Sequence, residues 1–314
     1  MRTVFLGTSA FAVAVLRRLA ASDHRPVLVV TRPDRPRGRG RRLAAPPVAE
    51  AARELGIELV QPESVNADAA RQRIAAAAPD AVCVCAFGAL IKEPLLSEHR
   101  MLNVHPSLLP RWRGAAPIER AIMAGDAETG VSIMRLAAGL DSGPVCLQAA
   151  EPIQPDDTYG TLCERLQALG GELLVQALDT SPPCLDQDEA TATYADKIGP
   201  EDRALDPARS PVELERTVRA LHPHIGARLA VGEGEWLGVH AAAAVDEAAR
   251  PAPGEAAAPG SAAGLPPPGE LAVRDGRLLF GCAGGALELR IVQPPGGRPM
   301  EAAAYVRGHP LARA

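Results

Sequence analysis

The sequence predicts an α/β protein with a Rossmann-like, mainly parallel sheet, followed by a smaller OB-like β-barrel. Two observations lead to this prediction: short apolar strands alternate with helical segments in the first half of the chain, and glycine-punctuated strands fill the last third. Alternating strands and helices favour a parallel sheet covered by helices, and closely spaced short strands favour a small barrel. A length of 314 residues accommodates both domains.

The predicted parallel sheet is built from short apolar runs. These runs are residues 2–7, 26–31, 57–60, 80–87 and 101–105. Helices are predicted between them at 11–22, 46–56 and 66–78. Thr8 and Ser9 are candidate N-caps of the first helix. Ligands of such sheets bind at the carboxyl ends of the strands, so the end of strand 101–105 is the first place to look for chemistry.

The segment 80–87 is apolar at successive positions, which is typical of a strand buried on both faces. Cys83 and Cys85 would share one face of this strand. We therefore expect them to be small core residues rather than a metal or redox pair.

The second half begins with a predicted helix and hairpin and ends in the barrel. The predicted elements are a helix at 114–125, hairpin strands at 128–136 and 144–153, a long helix at 157–178 and a capped helix at 210–224. Residues 181–194 are polar and contain prolines, as in a linker. We place the catalytic domain at 1–186, the linker at 187–207 and the second domain at 208–314. Residues 248–269, rich in alanine, glycine and proline, are expected to form a disordered loop within that domain.

Charge is concentrated in one short segment. Residues 32–42 hold six arginines and one aspartate, a local charge of +5, while the whole chain has a formal charge of −5. A basic segment on an acidic body suggests contact with a polyanion. A solvated, disordered loop is the alternative, and composition alone favours that alternative slightly.

The densest group of chemically capable residues follows strand 101–105. Alternation places Asn103 and His105 on the same face of this strand, at its carboxyl end. An amide can donate to a developing oxyanion, and a histidine can move protons near neutral pH. The two residues are equally consistent with a pair of hydrogen-bonded polar groups at a strand end.

Asp141 lies between Gly139 and Gly143, in a loop that can approach a neighbouring strand closely. Asn, His and Asp together could handle proton transfer from an amine to an acyl carbon. An aspartate beside serine and glycine is also common in turns, and spacing alone does not bring Asp141 to His105.

The segments NVHPSLLPRWRGAAPI and GVSIMRLAAGLDSGPV resemble the formyltransferases that use 10-formyltetrahydrofolate, in the form found in methionyl-tRNA formyltransferases. GTSAFAV, TRPDRPRGRGRRL, QPES, AFGALI, TYADKIGPEDRALD and VRALHPHIGA extend the resemblance over nearly the whole chain, in order. The Asn-x-His and SLLP patterns belong to the wider formyltransferase group, whereas the arginine loop, WRGAAP and the second domain are more specific.

The resemblance implies roles for individual residues. Asn103, His105 and Asp141 match the catalytic residues of the family. The stretch that lines the folate pocket is matched by Ser107, Leu108, Leu109 and Pro110. The basic loop matches one that engages the acceptor stem of initiator tRNA, through Arg35, Arg37, Arg39, Arg41 and Arg42. The second domain matches an OB-type barrel that adds tRNA contacts, although its eleven arginines are balanced by eleven acidic residues.

The implied reaction is formyl transfer from 10-formyltetrahydrofolate to the α-amine of methionyl initiator tRNA, giving N-formylmethionyl-tRNA for translation initiation. Asn103 would donate to the oxyanion, helped by protonated His105, and Asp141 would hold the imidazole and accept the proton of the amine. The implied cosubstrate is 10-formyltetrahydrofolate, and no metal is required. GTSAF is not a GxGxxG motif, so a dinucleotide site is not expected.

Two other functions remain open at this point. A relative acting on a small amine, such as an amino-sugar nucleotide or glycinamide ribonucleotide, would share Asn-x-His and SLLP without calling for the arginine loop. A non-catalytic RNA-binding protein on the same scaffold is opposed by the intact Asn103, His105 and Asp141.

The N-terminal sequence and the hydropathy of the chain indicate its cellular location. The N-terminus lacks the long apolar stretch of a signal peptide, and no apolar run reaches the ~18 residues of a membrane span. We expect a cytoplasmic protein with no membrane partner, acting as a monomer.

Overall fold

The computed structural model describes residues 1–37, 42–232, 234–246 and 264–309. The chain divides into two compact units. Unit 1 comprises Met1–Pro117, Glu128–Pro152 and Leu162–Asp196. Unit 2 comprises Ile118–Ala127, Ile153–Thr161 and Lys197–Ala314.

Strands and helices alternate through the residues up to 195. In chain order they are β1 (Thr3–Gly7), α1 (Ala10–Ala20), β2 (Pro26–Val30), β3 (Arg35–Arg37), β4 (Arg42–Ala44), α2 (Pro47–Glu54), β5 (Glu58–Val60), α3 (Asp68–Ala76), β6 (Ala81–Cys85), α4 (Leu95–Glu98), β7 (Met101–His105), β8 (Arg113–Gly114), α5 (Pro117–Ala124), β9 (Glu128–Arg135), β10 (Val145–Pro152), α6 (Tyr159–Thr180) and β11 (Tyr194–Ala195). The order agrees with the predicted βαβ pattern.

The main sheet of unit 1 has seven strands in the order β10-β9-β7-β6-β1-β2-β5. The pairs within β7-β6-β1-β2-β5 are parallel, and β9 and β10 add an antiparallel edge. The predicted, mainly parallel sheet is confirmed. Strand β7 lies inside the sheet, with β6 on one side and β9 on the other, and His105 at its carboxyl end lies opposite Ser132 of β9.

All five residues of β1, β6 and β7 are buried, because helices cover both faces of the sheet. Cys83 and Cys85 are free thiols in this core, as expected, and burial raises the pKa of Cys83 to about 12. Cys146 and Cys184 form a disulfide, a pairing that the sequence did not suggest.

The start of α1 is not capped in the way the sequence predicted. Ser9 occupies the N-cap position, but its side chain makes no capping hydrogen bond. Thr8 donates its hydroxyl to the carbonyl of Phe87 instead, at 2.6 Å. The threonine is therefore used to connect β1 to the loop after β6, which the local sequence signal could not distinguish from a cap.

Helix α6 packs closely against the strand that carries Asn103 and His105. A Cβ atom added at Gly170 would lie 2.9 Å from Val104 Cγ1, and one added at Gly171 would lie 2.8 Å from Arg18 Cβ on α1. These distances are below ordinary van der Waals contact. The glycine pair thus allows α6 to approach both β7 and α1.

Unit 2 contains an antiparallel sheet and two helices. Its elements are α7 (Pro211–Leu221), β12 (Ala227–Gly232), β13 (Glu235–Asp246), β14 (Leu271–Arg274), β15 (Arg277–Cys282), β16 (Gly285–Gln293), β17 (Met300–Glu301) and α8 (Ala302–Gly308). The strand order is β12-β13-β16-β15-β14, with β17 paired to β16, which gives an antiparallel half-barrel that agrees with the predicted OB-like fold class. Helix α7 begins with a capping box in which Ser210 and Glu213 bond each other's backbone amides.

Two short segments from earlier in the chain are bonded into unit 2. Arg120 forms a two-point ion pair with Asp202, at 2.6 and 3.0 Å. His224 shares a 2.9 Å hydrogen bond with Glu119, and its ring stacks on Tyr159 at 3.6 Å between centroids. Residues 118–127 and 153–161 are thereby held by the C-terminal part of the chain.

The expected disordered loop at 248–269 falls mostly outside the described residues, which resume at 264. Gly269 donates to the carbonyl of Gly281, and the amide of Gly281 donates to Glu270, so this end of the segment is bonded to β15. In the described residues, no helix is long and apolar enough to cross a membrane.

Replacing Gly170 by alanine should destabilise unit 1. The new methyl group would overlap the stiff side chain of Val104, at a cost of about 1–3 kcal/mol, which outweighs a gain of up to about 1 kcal/mol in helix propensity. Calorimetry should show a lower Tm for Gly170→Ala. Gly308→Ala in α8 is the control, since its added Cβ would meet no atom within 4 Å and should leave the Tm unchanged or higher. Equal Tm values for the two variants would contradict the close packing of α6 on β7.

Candidate active site

Asn103 and His105 lie on one face of β7, at the carboxyl end of the parallel part of the sheet. Both side chains are nearly buried, at 9% and 4% exposure. Among the residues that the structure describes, none is hydrogen-bonded to the side-chain amide of Asn103. The residue keeps slight exposure, and an amide that bonds no described residue is available to a ligand atom.

The imidazole of His105 is fixed by the backbone of the loop that follows β7. Its Nε2 atom lies 2.9 Å from the carbonyl oxygen of Trp112. A carbonyl oxygen only accepts, so Nε2 must carry a hydrogen. The nitrogen left for chemistry is therefore Nδ1, which faces Asp141 Oδ2 at 3.5 Å, slightly beyond hydrogen-bond distance.

Asp141 comes to His105 because of a tight turn after β9. Its backbone has a φ of 45°, in the left-handed region that is uncommon for residues other than glycine. Gly143 is required in this turn, since an added Cβ would lie 1.9 Å from the carbonyl oxygen of Arg135. The amide of Gly114 donates to Asp141 Oδ2 at 2.9 Å, which orients the carboxylate. The expected close approach of this loop to a strand is therefore present.

The segment 107–110, predicted to line the folate pocket, is built into a rigid loop by polar residues of β9 and β10. The hydroxyl of Ser132 donates to the carbonyl of Ser107 and accepts from the amide of Leu109. The amide of Gln148 donates to the carbonyl of Leu109 and to Ser132 Oγ. Pro110 follows Leu109 and its carbonyl accepts from Thr193, while Leu108 packs next to Gly130, where an added Cβ would lie 2.6 Å from its Cδ2.

Arg113 is a buried charge behind the site, with its side chain 1% exposed. Its Nη1 and Nη2 atoms bond the two carboxylate oxygens of Glu189 at 2.9 and 2.8 Å, and its Nε bonds Gln187 at 3.0 Å. This hydrogen bonding lowers the pKa of Glu189 and raises the pKa of Arg113. Trp112, beside it, has the guanidinium of Arg111 4.4 Å from its ring centroid.

Three of the five predicted tRNA-binding arginines, Arg35, Arg37 and Arg42, lie on the paired strands β3 and β4. Strands β3 and β4 pair antiparallel, with Arg35 opposite Ala44 and Arg37 opposite Arg42. Arg35 is exposed and forms a 2.8 Å ion pair with Glu63. Arg39 and Arg41 lie outside the described residues, as do the side chains of Arg37 and Arg42.

Two arginines of the second domain, Arg219 and Arg228, are engaged within it. Arg219 pairs with Glu215 at 2.6 Å and donates to the carbonyl of Asp157. Arg228 lies 4.1 Å from the ring centroid of Trp236, which is itself 38% exposed. An arginine–tryptophan pair thus lies at the surface of the described part of this domain.

Sequence reasoning missed the residues that support the site from β9, β10 and the segment after α6. Ser132 left a signal, since it is a polar residue inside the apolar run GVSIM of β9. Gln187 and Glu189 left none, because they lie in a polar segment predicted to be a linker. Gln187 bonds Asp141, 46 positions away in the sequence, and Glu189 bonds Arg113, 76 positions away.

Comparison with known proteins identifies the family. Residues 1–178 match the family described as Formyl transferase, and residues 197–310 match the Formyl transferase C-terminal domain. The chain belongs to the formyltransferase family. It is 42% identical to the methionyl-tRNA formyltransferase of Methylococcus capsulatus over 99% of this chain and 98% of that protein. It is 44% identical to the enzyme of the same name from Halorhodospira halophila, over 99% and 97% of the two chains.

Among solved structures, HypX from Aquifex aeolicus in complex with tetrahydrofolic acid superposes with a TM-score of 0.61 at 18% identity. The match covers 98% of this chain and 47% of HypX, so the chain spans about half the length of that protein. The similarity supports the formyltransferase fold across both units.

Replacing Asp141 by asparagine should lower kcat for formyl transfer by about 100-fold or more, the range typical of a lost acid–base group. Asparagine keeps an oxygen for the Gly114 amide but loses the charge and the basic oxygen, so Tm should change by less than about 2 °C. Steady-state kinetics and calorimetry test both expectations. Asp68→Asn, an exposed carboxylate on α3, is the control. A full kcat in Asp141→Asn would remove Asp141 from the chemistry.

Proposed function

We propose that the protein transfers the formyl group of 10-formyltetrahydrofolate to the α-amine of methionyl initiator tRNA. The observation that carries this proposal is the convergence of Asn103, His105 and Asp141 at the end of β7. Relatives of nearly the same length, named methionyl-tRNA formyltransferase, support the choice of acceptor.

Asn103 is proposed to bind the formyl oxygen. Its amide is nearly buried and available for a ligand, and an amide N–H aimed at developing negative charge stabilises it best where water is excluded. The charge on the formyl oxygen grows as the amine attacks. Asn103 therefore stabilises the transition state more than the ground state, which is the condition for raising kcat.

His105 is proposed to act through Nδ1. Its Nε2 hydrogen is held by the carbonyl of Trp112, so the ring cannot turn without losing this bond. When protonated, Nδ1 is the donor that remains for the formyl oxygen or for the leaving nitrogen. The Asp141 carboxylate lies 3.5 Å from Nδ1, where it faces this nitrogen.

Asp141 is proposed to accept the proton that the amine loses. One of its oxygens is occupied by the Gly114 amide, so the other faces the incoming amine directly or through water. A free α-amine has a pKa of about 7.7–8.0, and a usable fraction is neutral and nucleophilic at cellular pH. Neither an activated serine nor an activated cysteine is then needed.

The formyl donor, 10-formyltetrahydrofolate, is proposed to bind against segment 107–110. The folate supplies the formyl carbon, which forms a bond to the amine nitrogen as its bond to N10 breaks. Segment 107–110 is held rigid by Ser132 and Gln148, which suits a wall against which a flat ligand packs. Leu109 is buried and Leu108 and Pro110 are half-buried, so this wall is largely apolar.

The acceptor is proposed to be bound partly by the hairpin of β3 and β4. Arginine forms bidentate pairs with phosphates and stacks on unpaired bases, which suits the end of an acceptor stem. We place the enzyme in the cytoplasm, because its acceptor is an aminoacylated tRNA, and expect it to act as a monomer.

The direct test is formyl transfer to methionyl initiator tRNA, with methionyl elongator tRNA and free small amines as competing acceptors. Wild type should formylate the initiator form, and Asn103→Ala should lose about 10²–10³ in kcat. Formylation of a small amine with no transfer to any tRNA would instead favour an amino-sugar or nucleotide substrate.

Salt dependence tests the role of the basic hairpin. Replacing Arg39, Arg41 and Arg42 by alanine should flatten the slope of log affinity for tRNA against log salt, by about 0.7–0.9 for each phosphate that is no longer neutralised. The matched control replaces Arg17, Arg18 and Arg73, which are surface arginines of unit 1, and changes the net charge equally. Identical slopes in wild type and the hairpin variant would exclude this binding role.

A further inference from the structure

The polar segment after α6, from Cys184 to Ala195, runs along unit 1, and we name it the strap. Its beginning is joined to β10 by the Cys146–Cys184 disulfide and by two backbone hydrogen bonds between Val145 and Leu185. Its end forms β11, which pairs in parallel with β8. The strap is therefore anchored at both ends, on either side of the residues considered next.

Within the strap, the Gln187 side chain is hydrogen-bonded to the backbone of the turn that carries Asp141. Its side-chain nitrogen donates to the carbonyls of Asp141 and Gly143, at 2.8 and 2.7 Å. An amide nitrogen has two hydrogens, so both are used on this turn. Gln187 touches the backbone of the turn on both sides of Ser142 and leaves the Asp141 carboxylate to Gly114 and His105.

The orientation of the Gln187 amide is set by Arg113. The side-chain oxygen of Gln187 accepts from Arg113 Nε at 3.0 Å, so the amide cannot flip without placing its hydrogens against a guanidinium. Arg113 is itself held by its two-point bond to Glu189, two residues further along the strap. The result is a continuous set of hydrogen bonds from a buried arginine to the Asp141 turn, in which the bonds of the guanidinium are charge-assisted.

The Asp141 turn needs such support. A non-glycine residue with φ of 45° is held in a conformation that costs roughly 1–2 kcal/mol relative to its preferred region. A return of the Asp141 backbone to its preferred φ would rotate the side chain away from His105. The distance from Asp141 Oδ2 to His105 Nδ1 is already 3.5 Å, which is long for a hydrogen bond. Small displacements of a catalytic group have large effects on rate.

The strap also supports the other partner of His105. The hydroxyl of Thr193 accepts from the amide of Trp112 at 2.9 Å, and the carbonyl of Thr193 accepts from the amide of Arg113 at 2.8 Å. The Trp112 carbonyl, which fixes His105, is thus held by the same segment. The two sides of the His105–Asp141 pair are positioned by one stretch of chain.

We propose that Gln187 is a positioning residue for formyl transfer, which holds the Asp141 carboxylate against His105 Nδ1 by binding the Asp141 backbone. The proposal rests on the proposed function for its reaction. Gln187 contacts no reacting atom, so its effect should pass entirely through Asp141.

The test is a double-mutant cycle. Gln187→Leu removes the donors at similar size, and Gln187→Glu keeps an acceptor for Arg113 but turns oxygen lone pairs toward the two carbonyls. Each should lower kcat about 10- to 100-fold, while KM for both substrates stays within about threefold. In an Asp141→Ala background, Gln187→Leu should cause no further loss. Asp186→Asn, the exposed neighbour, is the control and should retain full kcat.

An unchanged kcat in both Gln187 variants, or a Gln187→Leu loss that multiplies with that of Asp141→Ala, would overturn the proposal. A crystal structure of Gln187→Leu gives an answer independent of activity: the Asp141 carboxylate should be displaced from His105 Nδ1, and an unmoved carboxylate would also overturn it. Failure of wild type to formylate methionyl-tRNA would count against the proposed function alone, because the structural comparison still tests the role of Gln187.

Discussion

The buried guanidinium of Arg113 is the constraint around which the site is organised. An ionised side chain taken out of water costs several kcal/mol unless it is paired with good geometry. Its partners, Gln187 and Glu189, both come from the strap, so that segment has to lie against unit 1 for the charge to be satisfied. Once it does, Gln187 reaches the Asp141 turn and Thr193 reaches Trp112. Packing, charge and catalytic geometry are therefore satisfied together.

In this site, side chains provide the reactive groups and backbone groups orient them. Asn103, His105 and Asp141 provide the groups that can meet the substrates, while carbonyls and amides of the loops hold two of them in place. Backbone groups move with the loops that carry them, so the conformation of these loops sets the positions of His105 and Asp141. The hydrogen bonds of Ser132 and Gln148 perform the same task for segment 107–110, where they fix the loop that follows β7.

The fold and the position of the site were largely predictable from the sequence, and the support of the site was not. Apolar runs identified strands such as β6 and β7, and alternation placed Asn103 and His105 on one face, because these signals are local. The approach of Asp141 to His105 needed the tertiary fold. The strap was predicted to be a linker, because prolines and polar residues are typical of exposed segments. Such a composition does not indicate that Glu189 bonds Arg113, more than 70 positions away. The two short strands of the basic hairpin and helix α8 carry too few residues for a periodic pattern.

The path of the strap also bears on how the chain could be divided. The first matched family region ends at residue 178, and the composition of the sequence suggests a boundary near 186. Both positions precede Gln187, Glu189 and Thr193, which bond the loops around His105 and Asp141. A fragment ending at either position would contain every residue proposed to carry out the chemistry and would lack the carboxylate and the amide that bond Arg113. The shortest piece that keeps these bonds around His105 and Asp141 therefore extends to the end of β11, beyond the residues proposed to perform the chemistry.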